Sequence, residues 1–314
     1  MSTELSTYQL ERFIDSQIAE WDLADAGYSA LKNVRVKSLN LDGMLIKVQF
    51  NPARIVSTSA KIDNHSLSSR PCFLCDSNRP DKQKSIEWGR YNILVNPYPI
   101  FPRHLTIASK DHVAQTIYGR IGEMFALAKS LNGYTIFYNG ARCGASAPDH
   151  MHFQAGNSDF LPLDKWIQEA GLTPILSDSN VVLSEVLSAP VKFFIIDAID
   201  AVSADSAFCK LRAGMPVTED DVEPMMNLLA YTIPLGIRLV VIPRKRHRPS
   251  FYGSDGKGTM MISPGAVDMA GVLITPREQD FETIDDNIVR KIYSEVSLNT
   301  QDINKISSYV KKHF

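Results

Sequence analysis

The sequence predicts an α+β protein: an antiparallel sheet carrying helices, built as two consecutive halves. Three observations lead there. Strand-like runs follow one another closely, with tight turn signals between them. One long helical segment sits among the strands of the first half. The stretches Arg103-His-Leu-Thr-Ile-Ala-Ser-Lys-Asp-His112 and Ile237-Arg-Leu-Val-Val-Ile-Pro-Arg-Lys-Arg-His247 echo each other: an apolar strand, then a basic residue, then a histidine. Such an echo points to duplication.

Taken in order, residues 7–32 read as helix, and residues 34–50 alternate apolar and polar around Asp42-Gly43, a hairpin turn. Residues 51–90 are polar and irregular. Two strands follow, at 91–97 and 103–109, joined by a connection that Pro99 and Pro102 stiffen. Ile117, Ile121, Phe125, Ala128 and Leu131 recur at helical spacing and predict a helix over 113–131. Strands are expected at 134–139 and 150–155, separated by a loop of small residues. The first half closes near residue 164 and the second runs over 165–314. There the sequence predicts strands at 191–199, 237–247 and 269–275, and helices at 219–231, 284–296 and 301–312. An acidic turn, Thr218-Glu-Asp-Asp221, opens the first of these helices.

Composition narrows the function. Of 314 residues, 44% are apolar and 22% charged, as in ordinary soluble globular proteins. A net charge of −2 offers no basic field for a nucleic-acid backbone. No apolar run is long enough for a membrane span, and the N-terminus lacks the basic start and apolar stretch of a secretory leader. A cytoplasmic location is therefore expected. Four cysteines do not suggest a disulfide framework. Cys143 and Cys209 are expected to be small packing residues. Cys72-Phe-Leu-Cys75 is a C-x-x-C pair, and no strand–CxxC–helix pattern suggests thioredoxin chemistry. With two histidines the pair would make a tetrahedral site suited to zinc.

The densest chemistry lies in residues 139–154. On a strand, His150, His152 and Gln154 share one face, with Met151 and Phe153 on the apolar other side. Before them runs Gly144-Ala145-Ser146, whose backbone N–H groups can approach an anion closely. Neutral imidazole is a nucleophile suited to phosphoryl transfer. Ser146 and Gln154 can donate hydrogen bonds to phosphate oxygens. Arg54 and Arg142 are candidates to hold phosphate or sugar oxygens. The basic run Arg244-Lys245-Arg246-His247-Arg248 could reach a phosphate tail, or could be a solvated strand end.

The segment Asn139-Gly-Ala-Arg-Cys-Gly-Ala-Ser-Ala-Pro-Asp-His-Met-His-Phe-Gln-Ala-Gly156 resembles the signature of the histidine-triad superfamily. The resemblance is to the branch with Gln in place of the third histidine. That branch holds galactose-1-phosphate uridylyltransferase, diadenosine tetraphosphate phosphorylase and GDP-L-galactose phosphorylase, and His150–Ala155 is most similar to the last. Further pieces extend it over about residues 50–282. The resemblance implies two tandem halves of histidine-triad topology, the second degenerate and non-catalytic, since it has no H-x-H-x-Q of its own. It also implies that His152 becomes nucleotidylated, that Gln154 holds the phosphoryl group, and that Asn139 and Ser146 support the site. For zinc it implies Cys72, Cys75, His112 and His150, with His104 competing for the third position. The chain departs from the uridylyltransferases, which have H-P-H, at Met151, and Asp149 is an extra residue before His150. The implied activity is a nucleotidyl transferase or phosphorylase working by double displacement. Its substrate would be a nucleoside diphosphate sugar or dinucleoside polyphosphate, its acceptor phosphate or a sugar phosphate. A hexose-1-phosphate nucleotidyltransferase, a nucleotide hydrolase and an inactive nucleotide-binding module are the alternatives.

Overall fold

Strands from both halves of the chain join in one antiparallel sheet. The computed structural model describes residues 5–59, 63–218, 221–253, 256 and 258–314. In the first half these form α1 (Thr7–Glu20), α2 (Asp22–Leu31), β1 (Arg35–Leu41), β2 (Met44–Phe50), α3 (Ile55–Thr58), α4 (Asn64–Ser69), β3 (Ser85–Trp88), β4 (Tyr91–Val95), β5 (His104–Ser109), α5 (Ile121–Ser130), β6 (Tyr134–Asn139) and β7 (His152–Asn157). Then come α6 (Leu163–Ala170), β8 (Thr173–Ser177), β9 (Val181–Val186), β10 (Phe193–Ala198), α7 (Ala201–Ala213), β11 (Met226–Ile233), β12 (Gly236–Pro243), α8 (Ala266–Met269), β13 (Val272–Thr275), α9 (Glu278–Thr283), α10 (Asp286–Val296) and α11 (Thr300–His313). The α+β class and the antiparallel sheet are as the sequence predicts.

The large sheet has the order β3-β4-β5-β7-β6-β11-β12-β10-β9-β8. Its strand order repeats from the two edges inward. From the outer edge inward, the first half contributes the pattern 3-4-5-7-6 and the second contributes 8-9-10-12-11. A helix follows the third strand of each set, α5 in one and α7 in the other. The halves meet at β6 and β11, where Asn139 faces Asn227. The sequence echo is out of register with this symmetry. It equates β5 with β12, whereas β5 corresponds to β10, and β12 to β7. An apolar strand with a polar end is too common a pattern to fix the alignment.

Both faces of the sheet are covered, and side chains alternate between two cores. On one face, Phe153, Tyr138, Phe194 and Leu228 pack against α1, α5, α7 and α11. On the other, Phe137, Ile195, Leu229 and Val240 pack against β2, α6 and α10. The small sheet β1-β2-β13 lies on this second side, with β13 of the second half running parallel to β2 of the first.

Several elements differ from expectation. The helix expected over 7–32 breaks at Trp21, whose backbone is extended (φ −119°, ψ 104°). The helix expected over 113–131 begins only at Ile121, after Gly119 takes a positive φ of 69°. Residues 85–88 of the irregular stretch form β3, and β8, β9, α6 and α7 were not anticipated. The helix expected over 219–231 is a strand from Met226 onward, and Glu219 and Asp220 lie outside the described residues. Its apolar run is buried on both faces and hydrogen-bonded on both edges, to β6 and β12. A short apolar run suits a central strand or a buried helix equally, so partners decided it. The strands expected at 237–247 and 269–275 are shorter, at Gly236–Pro243 and Val272–Thr275.

Candidate active site

A cavity of about 420 Å³ opens on the sheet face opposite Phe153, and His152 and Gln154 line it. Strand alternation places them there: Phe153 and Ala155 enter the core, so residues 152 and 154 point outward. His152 is 4% exposed. Its Nδ1–H donates to the His150 carbonyl at 2.9 Å. That bond fixes the tautomer and leaves the Nε2 lone pair free. Burial pushes the imidazole pKa down to about 4, so the ring is neutral near pH 7 and able to act as a nucleophile.

Gln154 is oriented by a residue that the sequence offered only as a possible metal ligand. His104 Nδ1 accepts from the Ile100 N–H at 3.1 Å, which makes His104 Nε2 the protonated nitrogen. Nε2 then donates to Gln154 Oε1 at 3.0 Å. With its oxygen so engaged, Gln154 has its NH₂ group to offer to a ligand. Burial lowers the His104 pKa to about 3, which keeps this donor ring neutral. His104 is not part of the cysteine–histidine cluster described below.

The small-residue loop is held against the second half of the chain. Gly144 has φ +95°, and a Cβ there would stand 2.6 Å from the Gly265 Cα. Only glycine accommodates both the conformation and the contact. Gly144 and Ser146 line the cavity, while Ala145 is buried beside them. Asn139 lines it too, and its Oδ1 accepts from the Ala266 N–H at 2.7 Å and from Asn227 Nδ2 at 2.9 Å. The second half therefore supplies one wall of the cavity, including Ser263, Gly265 and Asp268.

The basic candidates separate cleanly. Arg54 lines the cavity and donates to the Tyr98 carbonyl at 2.8 Å. Burial lowers its pKa to about 10, which still leaves a cation at neutral pH. Arg142 does not line the cavity: it is half exposed and pairs with Asp221 at 2.9 Å. Arg244 is buried as a cross-link, donating to the Val296 and Pro264 carbonyls and to Asn227 Oδ1. Arg246 faces Glu295, and Arg248 stacks 4.0 Å from the Tyr252 ring and donates to Ser263 Oγ. None of the run 244–248 lines the cavity. Arg70, which the sequence did not single out, does line it and donates to the Ser146 carbonyl at 2.9 Å.

Cys72, Cys75, His112 and His150 converge, with one ligand atom from each lying within 4.8 Å of the others. Cys72 Sγ is 3.3 Å from His150 Nδ1, and Cys75 Sγ is 3.2 Å from His112 Nδ1. Two thiols and two imidazoles gathered this closely can hold a metal ion. The outer groups fit as well: His150 Nε2–H donates to the Ser109 carbonyl at 2.8 Å, and Asp149 lies 3.9 Å from His112 Nε2. Such partners fix ligand tautomers. His150 precedes β7 and turns its ring to the cysteines, so it shares no strand face with His152 and Gln154.

Comparisons with known proteins bear on both halves of the chain. Residues 13–157 match the family described as "Domain of unknown function (DUF4922)", and residues 167–314 match "GDPGP1-like, C-terminal domain". No curated protein sequence matches significantly. Yeast Ap4A phosphorylase Apa2 superposes with a TM-score of 0.59 at 16% identity, over 95% of this chain and 99% of that one. Its complex with Ap4A gives 0.58 at 14% identity, covering 95% and 99%. Its complex with AMP gives 0.57 at 17%, covering 95% and 98%. The chain therefore shares the fold of this phosphorylase, and residues 167–314 are similar to the GDPGP1-like C-terminal domain.

Proposed function

From a chain with the fold of an Ap4A phosphorylase and a GDPGP1-like C-terminal domain, we propose a nucleotidyl transferase of phosphorylase type. Its substrate is a nucleoside diphosphate sugar or a dinucleoside polyphosphate. One observation carries the reading: a neutral imidazole, with Nδ1–H held by the His150 carbonyl, lines a cavity beside an amide whose oxygen is already engaged. The Nε2 lone pair of His152 attacks the α-phosphorus. The N–P bond forms as the P–O bond to the leaving phosphate breaks, and that oxygen keeps the electron pair. The Nδ1–H···O=C bond stabilises the charge that develops on the ring. Gln154 donates to the phosphoryl oxygens, Ser146 and Asn139 support them, and Arg54 answers their charge. An oxygen of inorganic phosphate then attacks the same phosphorus, the N–P bond breaks with its electron pair returning to His152 Nε2, and a nucleoside diphosphate leaves. A neutral amide at position 154 is a poor base for activating water, which favours a phosphate acceptor over hydrolysis.

The cysteine–histidine cluster is the site of one zinc ion. Held by Cys72, Cys75, His112 and His150, zinc would tie residues 72–75 to the segment before β7. None of the four ligands lines the cavity, although Arg70, Phe73 and Leu74 beside the cysteines do.

Mass spectrometry of protein mixed with substrate, without acceptor, is expected to find one nucleoside monophosphate on the peptide containing His152. Added phosphate is expected to speed turnover and yield the diphosphate. Monophosphate as the sole product at every phosphate concentration points to a hydrolase. Binding without adduct or turnover points to a nucleotide-binding module. Either result removes the proposed reaction.

A further inference from the structure

The ladder between β6 and β7 stops before it reaches His152. Tyr134 faces Asn157 and Phe137 faces Gln154. Continued in register, Asn139 would face His152. On its other edge His152 is still paired, opposite Ala108 of β5. The open edge is filled by a side chain. Gln115 Oε1 accepts from the His152 N–H at 2.8 Å, and Gln115 Nε2 donates to the carbonyls of His152 and Asn139 at 3.0 and 2.9 Å. One buried amide thus stands in for a strand partner and holds the two strands apart where the small-residue loop begins. The same segment makes two backbone bonds to that loop's far end, Gln115 N–H to the Pro148 carbonyl and Met151 N–H to the Val113 carbonyl.

The segment carrying Gln115 is tied to the second half of the chain. Glu223 accepts from the Ile117 N–H at 2.8 Å and from Thr116 Oγ1 at 3.0 Å. Its other oxygen accepts from Tyr138 O–H at 2.5 Å. Glu223 is 8% exposed, so this carboxyl is engaged entirely by protein groups. A chain of contacts runs from Glu223 through residues 116–117 to Gln115 and on to the backbone of His152.

We propose that Gln115 is a positioning residue for His152 and that Glu223 of the second half keeps it in place; this rests on His152 being the nucleophile. Gln115 touches no substrate, since it is 3% exposed and does not line the cavity. It acts by fixing the backbone of His152 on both sides of the residue. That sets where the ring stands relative to the His150 carbonyl and the cavity. Misplacing a reacting group by about 1 Å can cost on the order of 100-fold in rate.

The test uses Gln115→Met, which keeps the length and loses all three hydrogen bonds, and Glu223→Gln, which loosens the anchor more gently. Three quantities are read for each: the single-turnover rate of the His152 adduct, the affinity for a nucleoside monophosphate, and the imidazole ¹⁵N signals of His152. Gln115→Met is expected to slow adduct formation by roughly 30- to 100-fold, with binding changed less than about threefold. The single Nδ1–H signature of His152 is expected to give way to a tautomer mixture. Glu223→Gln is expected to slow the adduct by about three- to tenfold and is the deciding variant if Gln115→Met does not fold. A wild-type adduct rate in the folded variant, or an equal loss of binding and rate, overturns the positioning role. If wild-type protein forms no adduct, the nucleotidyl reading fails. The ¹⁵N signature then decides alone whether Gln115 positions the ring, and an unchanged signature overturns it.

Discussion

The hairpins β6–β7 and β11–β12 occupy equivalent places in the two halves, and they differ in what joins their strands. Residues 140–151 connect the first pair; Pro234 and Leu235 connect the second. The long connection carries Gly144, Ser146, Asp149 and His150, and ends on His152 as the first residue of β7. The short one ends on Gly236 as the first residue of β12. The polar groups that the first hairpin brings to the cavity have no counterpart in the two-residue turn of the second, although the strand order is alike. The comparison teaches that the repeated strand order is a frame, with the candidate site on one loop of it. The second half still takes part: Asn227, Arg244 and the segment 263–268 brace that loop.

The sharpest way to break the contrast is to remove the imidazole from the richer hairpin. His152→Ala is expected to lower turnover by a factor on the order of 10⁴ or more, with a melting temperature close to wild type. Activity within tenfold of wild type would mean that the loop is not where the chemistry sits. Gln154→Leu keeps the volume and removes the donor. Its expected loss is about 10²–10³-fold in kcat, with a smaller change in KM; steady-state kinetics with a nucleotide sugar or dinucleoside polyphosphate would check it.

Next in size is the cysteine–histidine cluster, which among the described residues has no counterpart in the second half. The Cys72→Ser/Cys75→Ser double variant is expected to lose zinc by elemental analysis and to melt roughly 5–10 °C lower. The protein that remains folded keeps its adduct at His152. Normal zinc content in that variant would refute the ligand assignment. Gly144→Ala probes the contact between the halves. Added to a positive φ, the Cβ clash with Gly265 is expected to cost about 1–3 kcal/mol in denaturant unfolding. The smallest effect belongs to Arg142→Ala. Arg142 is half exposed, while the Asp221 side chain is largely covered and keeps its bond from Thr218 Oγ1, so stability is expected to fall by about 1 kcal/mol or less, with kcat/KM unaltered. A large loss of activity there would bring Arg142 back as a substrate contact.

By itself the sequence determined the α+β class, most strands of the first half, and the cluster of groups around His152. Those depend on local pattern. Alternation sends Phe153 inward and Gln154 outward, and a C-x-x-C pair with histidines of the right kind announces a metal site. The resemblance implied His150 and left His112 and His104 competing for the third position; the structure brings His112, with His150, to the cysteines. Tertiary structure decided the rest. The apolar run at 226–233 became a strand because β6 and β12 flank it, and no periodicity could disclose those neighbours. His150 left the face of His152 because it lies in a turn. Arg142 and Arg244 fell away from the cavity because a sequence shows a charge but not its partner. His104 and Gln115 carry no motif, yet their hydrogen bonds orient Gln154 and hold His152. Such partners come from distant positions in the chain, and only the packing of elements brings them within hydrogen-bond reach.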